Sequence, residues 1–195
     1  MAMWVQQVGP SDVLAYEDGV RRVYAEAFAG PPWHEDPAEA AGYTERLRED
    51  ARRPGFRAAL ALSGDPDEPG SAAVVGFATA WTTPAPFPAT RAYAAVASLL
   101  GPERTAAWLV GAREVDELAL SPAARGAGLA AALLESVTTS APEGRCWLLT
   151  SRNAGAAVRL YRRLGWREVP APAGGPDLVV FLGPGHPGAE EHHEG

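Results

Sequence analysis

Glu114-Val-Asp-Glu-Leu-Ala-Leu-Ser-Pro-Ala-Ala-Arg-Gly-Ala-Gly-Leu-Ala130 decides the reading of this chain. Acids open a short apolar strand, and Ser121-Pro122 turns the chain away from it. Arg125-Gly126-Ala127-Gly128-Leu129-Ala130 then starts an Ala/Leu helix predicted to run to about Val137. Small residues at a helix start let an anion approach the free backbone N–H groups, and the helix dipole adds its positive end there. The segment is suited to holding phosphate.

Gly126-Ala-Gly128-Leu-Ala-Ala131 also satisfies G-x-G-x-x-A, the turn of dinucleotide-binding folds. In those folds the turn follows its strand directly, near the domain start, and the next strand ends in an acid. Here five residues, Ser121 to Arg125, intervene, and the next strand ends Thr150-Ser151. The dinucleotide reading fails on both counts.

Around this segment the chain alternates strands and helices. Trp4–Val8 reads as a strand, and Ser11 or Asp12 caps a helix whose apolar positions run to Phe28. Gly30-Pro-Pro-Trp33 stops it, and a polar helix from Asp36 to about Arg53 ends at Pro54-Gly55. Phe56–Leu62 and Ala72–Thr82 read as strands joined by a hairpin-type connection. A Pro-rich stretch and two helical segments, broken at Gly101-Pro102, form an insertion over about 84–112. Beyond the glycine-fed helix come a strand at Cys146–Thr150, a helix from about Ala154 to Leu164, and strands near Trp166–Val169 and Leu178–Leu182. Residues 1–182 make one domain; 183–195, polar and glycine-rich with His186, His192 and His193, read as a disordered tail.

At 195 residues with 47% hydrophobic and 21% charged residues, the composition suits one soluble domain. A net charge of -7 argues against nucleic-acid binding. Without a membrane-spanning stretch or a signal-peptide pattern, the cytoplasm is the expected compartment. The lone Cys146, inside an apolar run, is a core residue and excludes an internal disulfide framework. Lysine and isoleucine are absent, which with the abundant Ala, Gly and Pro points to a GC-rich, bacterial genome.

Two blocks carry more specific information. Leu118-x-Leu120-x-Pro122 precedes R-x-x-G-x-A at Arg125–Ala130; downstream stand Asn153, Ala156, Leu160-Tyr161 and Leu164-Gly165-Trp166. In type, order and separation they resemble the GNAT superfamily of acyl-CoA-dependent N-acetyltransferases, over about residues 3–182. The resemblance implies a single-domain α/β fold with a mixed, V-splayed central sheet flanked by helices. It implies transfer of an acetyl group from acetyl-CoA to a primary amine by direct attack in a ternary complex, with no metal. Two alternatives stand beside this: an acyl-CoA-binding sensor without turnover, and an acetyltransferase of protein lysines or N-termini. A small-molecule amine is the expected partner, without nucleic acid or membrane, and homodimers are common in the family.

The same resemblance assigns roles. Arg125, Gly126, Ala127, Gly128, Leu129 and Ala130 wrap the coenzyme pyrophosphate. Backbone groups at Leu118, Ala119 and Leu120 bond the pantetheine arm, and one N–H there polarises the thioester carbonyl. Tyr161 matches the tyrosine that protonates the leaving sulfur, and Asn153 the asparagine that contacts the arm. The eight positions from Asn153 to Tyr161 exceed the commonest family spacing of seven.

An ammonium must lose a proton before it can attack, so a base is needed. Glu114, Asp116 and Glu117 are the candidates; strand alternation puts Glu114 and Asp116 on one face and Glu117 on the other. Family bases match Glu114 or Asp116. On the acceptor side, Trp33 and His34 lie in the loop that flanks the acceptor in the family. Trp81 and Phe87, with Tyr93, are candidate pocket walls through apolar or cation–π contact. Arg159, Arg162 and Arg163 read as a solvated helical face.

Overall fold

The computed structural model describes residues 2–67, 69–90, 92–171, 175 and 177–189. Among these residues seven strands form a mixed sheet in the order β1-β2-β3-β4-β5-β7-β6. They are β1 (Ala2–Val8), β2 (Arg57–Gly64), β3 (Ala73–Thr82), β4 (Arg113–Leu120), β5 (Cys146–Thr150), β6 (Arg167–Glu168) and β7 (Val179–Leu182). The helices are α1 (Pro10–Ala15), α2 (Glu17–Phe28), α3 (Glu39–Asp50), α4 (Tyr93–Arg104), α5 (Leu129–Thr138) and α6 (Gly155–Arg163). This is the α/β fold that the motif blocks imply. The helix expected from Ser11 to Phe28 is two helices, because Tyr16 leaves helical geometry at φ -97° and ψ 17°.

The chain divides into two compact units. Met1–Ala80 with Asp116–Thr139 make the first, and Trp81–Val115 with Ser140–Gly195 the second.

In the first unit β1 and β3 flank β2 in antiparallel pairs. The run Ala58–Leu62 of β2 is buried without a break, so both faces of that strand are covered. Helical spacing supplies the cover: Val20, Val23 and Tyr24 on α2, and Ala40, Tyr43, Thr44 and Leu47 on α3, are buried. Leu133 and Val137 of α5 are fully buried, each contributing about 1.5–3 kcal/mol of hydrophobic stabilisation.

In the second unit β4 pairs in parallel with β5 over Arg113–Val115 and Cys146–Leu148 only. That short ladder is the one expected of splayed strands. Beyond β5, β7 and β6 pair antiparallel. Gly101, at φ 77° and ψ 166°, breaks α4 where the Gly-Pro pair predicts, and a turn of π-helix, Thr105–Leu109, leads towards β4. This segment gives Tyr93, Val96, Leu100, Trp108 and Leu109 to the unit's core. Cys146 is buried as expected, and burial pushes its thiol up to about 11, far from reactive.

The tail needs correction. Residues 183–189 are folded; 190–195, with His192 and His193, lie outside the described residues. Gly183 N–H donates to Cys146 O at 2.8 Å, extending the β7 edge. His186 is 1% exposed, because its ring satisfies two buried backbone groups. Nε2–H donates to Trp108 O and Nδ1 accepts from Gly188 N–H, both at 3.0 Å.

That arrangement needs a neutral imidazole, since a proton on Nδ1 would face a donor. Burial lowers the His186 pKa, with Arg145 acting in the same direction and the Trp108 bond opposing. Below the ordinary value of 6.5 the unfolded chain binds a proton that the folded chain refuses. Its effect on stability is therefore absent above that value and becomes destabilising as the pH falls below it. The melting temperature of the wild type is expected to drop more steeply between pH 7 and pH 5 than that of His186→Gln.

Candidate functional site

The three acids of β4 have different surroundings. Glu114 is 4% exposed and fully engaged within the second unit. Tyr93 OH donates to its Oε1 at 2.5 Å; Trp81 Nε1–H and Thr83 Oγ1–H donate to Oε2 at 3.2 and 3.3 Å. Trp147 Nε1–H donates to Thr83 Oγ1 at 2.8 Å and completes the network. A carboxylate saturated by buried donors stabilises those donors and is a poor proton acceptor. Glu114 is therefore corrected from candidate base to structural clamp.

Trp81 is corrected with it. Its ring is fully buried and its N–H is spent on Glu114, so it walls no acceptor pocket. Phe87 packs edge-on against Tyr93 with centroids 5.3 Å apart, and against Trp147 at 6.1 Å. It extends the core of the second unit.

Asp116 and Glu117 are half-buried in the first unit. The Glu117 pKa is raised to about 8 by loss of water, then by the charges of Asp116 and Glu35. Arg46 and a hydrogen bond from the Leu118 backbone act against this rise. Alternation groups Asp116 with Glu114, but its charge acts beside Glu117: both raise the pKa of the Tyr43 hydroxyl, after burial itself. A carboxylate held near neutral pH is suited to taking a proton from an ammonium.

Further along β4, Leu118 and Leu120 are half-buried and Ala119 is buried. Ser121 then pins the turn: its N–H donates to Val75 O at 2.9 Å and its Oγ–H to Glu26 Oε2 at 2.6 Å. Arg125, Gly126, Ala127 and Gly128 are exposed, Ala130 is half-buried, and Leu129 anchors α5 in the core. Gly126 at φ 84° and Gly128 at φ 78° are left-handed, which favours glycine, and beyond the adjacent residues no atom lies within 4 Å of where a Cβ would stand on either. The first intrahelical bond is Ala132 N–H to Gly128 O, so the amides of Leu129, Ala130 and Ala131 precede the ladder. Open space, unspent amides and the positive end of a ten-residue helix fit a pyrophosphate.

In the second unit Tyr161 lies on α6, 6% exposed, with its ring near Phe181 and Trp166 at 5.4 and 6.1 Å. Asn153 stands two residues before α6. Its Nδ2 donates to Asp177 Oδ2 at 2.9 Å.

Trp33 is 39% exposed and meets Phe28 edge-on at 5.8 Å; His34 is exposed beside it. The sequence reading missed Tyr24, Glu35, Tyr43 and Arg46, which gather in the same unit. Tyr24 stacks on Tyr43 with centroids 4.5 Å apart, and the Arg46 guanidinium lies 5.5 Å from the Tyr43 ring. The polar character of α3 was visible; that its buried stripe carried a tyrosine towards the acids of β4 was not.

A family model for the acetyltransferase (GNAT) domain matches residues 72–168. Among solved structures, PH1933 from Pyrococcus horikoshii OT3 is similar with a TM-score of 0.61 at 14% identity, over 93% of this chain and 98% of that one. The paia N-acetyltransferase of Thermoplasma acidophilum, solved with coenzyme A, gives 0.55 at 12% identity, over 94% and 99%. The aminoglycoside acetyltransferase HMB0005, from an uncultured soil metagenomic sample, gives 0.55 at 22% identity, over 90% and 99%. No curated protein matches. At these identities the structures speak for the fold; the family match, which runs from β3 to β6 through both motif blocks, shows that the chain belongs to the GNAT superfamily of acetyltransferases.

Proposed function

We propose that the protein transfers an acetyl group from acetyl-CoA to a primary amine by direct attack of the amine on the thioester. The observation that carries this reading is the cradle from Gly126 to Ala130: two left-handed glycines open towards space at the start of α5. Its amides receive the pyrophosphate, and Arg125 adds a positive charge beside it. Backbone groups of Leu118, Ala119 and Leu120 take the pantetheine arm, with Asn153 as a further contact.

The proton inventory assigns the remaining roles. Glu117, with Asp116 raising its pKa, accepts the proton that the acceptor ammonium must lose. The free amine forms the C–N bond, the C–S bond breaks, and Tyr161 returns a proton to the thiolate. The second nitrogen proton leaves to solvent. A cytoplasmic bacterial setting fits the composition.

Calorimetry tests the cradle. Folded protein is expected to bind acetyl-CoA saturably, and Gly128→Glu to weaken binding by about 100-fold or more. The new side chain strains a left-handed position, and its carboxylate opposes the pyrophosphate. No binding by folded wild type, or a variant that binds equally well, sinks the reading.

A further inference from the structure

The cradle hangs from Ser121, and Ser121 spends each of its polar groups inside the first unit. Its N–H donates to Val75 O at 2.9 Å, which fixes the end of β4 to β3. Its carbonyl accepts from Ala124 N–H at 2.9 Å and closes the short 3-10 turn Pro122–Ala124 that delivers Arg125 and Gly126. Its hydroxyl donates to Glu26 Oε2 at 2.6 Å, and this bond ties the turn to α2.

Glu26 is itself held. Its Oε1 lies 3.8 Å from Arg22 Nε, one helical turn earlier, and Arg22 Nη2 donates to Val74 O at 2.8 Å. The i,i+4 spacing puts both side chains on one face of α2, where they reach β3 and the turn together. The sheet completes the arrangement. A Cβ on Gly76 would collide with Leu120 Cδ2 and stand 3.0 Å from Ala119 O, so this glycine lets β4 settle on β3 just before Ser121.

The side chains of Arg22 and Glu26 are 54% and 41% exposed, and exposed ion pairs add little to folding stability. Their bonds converge instead on a turn whose task is to aim the amides of Leu129, Ala130 and Ala131. A binding site held in its bound geometry beforehand avoids the cost of ordering it when the ligand arrives. We propose, resting on the acetyl-transfer reading for the ligand, that Glu26 is a positioning residue of the cradle. It acts through the Ser121 hydroxyl and touches no reacting atom, while Arg22 keeps its carboxylate aimed at the turn.

The test compares Glu26→Ala, Ser121→Ala, their double variant and Glu26→Gln. Asp18→Ala is the control, since Asp18 pairs with Arg21 at 2.9 Å in an exposed pair within α2. Acetyl-CoA affinity is measured by calorimetry, KM and kcat by thiol release, and order in the free turn by hydrogen exchange at the Ala124 amide. Each alanine variant is expected to weaken acetyl-CoA binding and raise its KM by about five- to tenfold, with kcat kept within about twofold. The double variant should be no weaker than the worse single one, because both remove the same bond. Glu26→Gln retains an acceptor oxygen for Ser121 and should stay within about twofold of the wild type. The Ala124 amide should exchange faster in the alanine variants, whereas melting temperatures barely move. Alanine variants that bind as tightly as the wild type, losses that add in the double variant, or Glu26→Gln as weak as Glu26→Ala overturn the proposal and leave the transferase reading standing. A folded wild type that binds no acetyl-CoA removes that reading instead. Glu26 then stands on faster Ala124 exchange in both alanine variants and falls on unchanged exchange.

Discussion

Glu117→Gln is expected to lower kcat/KM by about 10²- to 10³-fold, the usual contribution of a positioned general base. Acetyl-CoA affinity should stay at the wild-type level, because the cradle is elsewhere on the chain. The pH profile separates this from a generic loss. In the wild type, kcat/KM should climb with pH through an inflection near 8, as Glu117 gives up its proton. The variant should lose that limb. Stability moves the other way. Glu117 has a folded pKa raised above its ordinary value of 4.5, so the native state holds a proton that the unfolded chain releases between those limits. Its contribution therefore falls as pH rises across that window, and Gln removes the penalty. A variant that melts at or above the wild-type temperature yet turns over slowly is the expected pair of results. Near-normal turnover would pass the base role to Asp116 or to water.

Glu114→Ala should act on stability instead, with a loss of about 3–5 kcal/mol in urea unfolding. The cost arises because the Trp81 and Tyr93 donors and the Thr83–Trp147 link lose their acceptor inside the core. Folded domains hold only about 5–15 kcal/mol in total, so a measurable part of the variant is expected to be unfolded without denaturant. Glu114→Gln keeps one acceptor oxygen and should cost less. If Glu114→Ala unfolded at the wild-type midpoint while losing activity by orders of magnitude, Glu114 would return as a catalytic residue.

These two acids show how far the sequence was legible. Runs bounded by turn residues read well: β5 spans Cys146–Thr150 as its apolar run indicates, and α5 starts where its glycines place it. Local chemistry sufficed there. Glu114 was misread because its partners lie 21 to 33 residues away, and nothing local distinguishes a clamped acid from a solvated one. Period-two alternation likewise grouped Asp116 with Glu114, whereas its charge acts on Glu117 and Tyr43. Trp81 and Phe87 suggested a pocket by type alone; an indole N–H needs an acceptor, and the fold supplied one inside the core. Glu35 stood one residue past the loop that drew attention, and only tertiary packing placed it beside Tyr24.

The tail went wrong for the same reason. Glycine, proline and polar residues lower hydrophobicity, but one imidazole that satisfies Trp108 and Gly188 is enough to fix a short segment. This bears on where the protein tolerates cutting or fusion. Ending the chain after Leu182, the last residue of the sheet, would leave the Trp108 carbonyl without its donor and strip the cover from the indole face that His186 meets edge-on at 6.3 Å. A purification handle or fused partner belongs after Ala189, beyond the segment that His186 fixes.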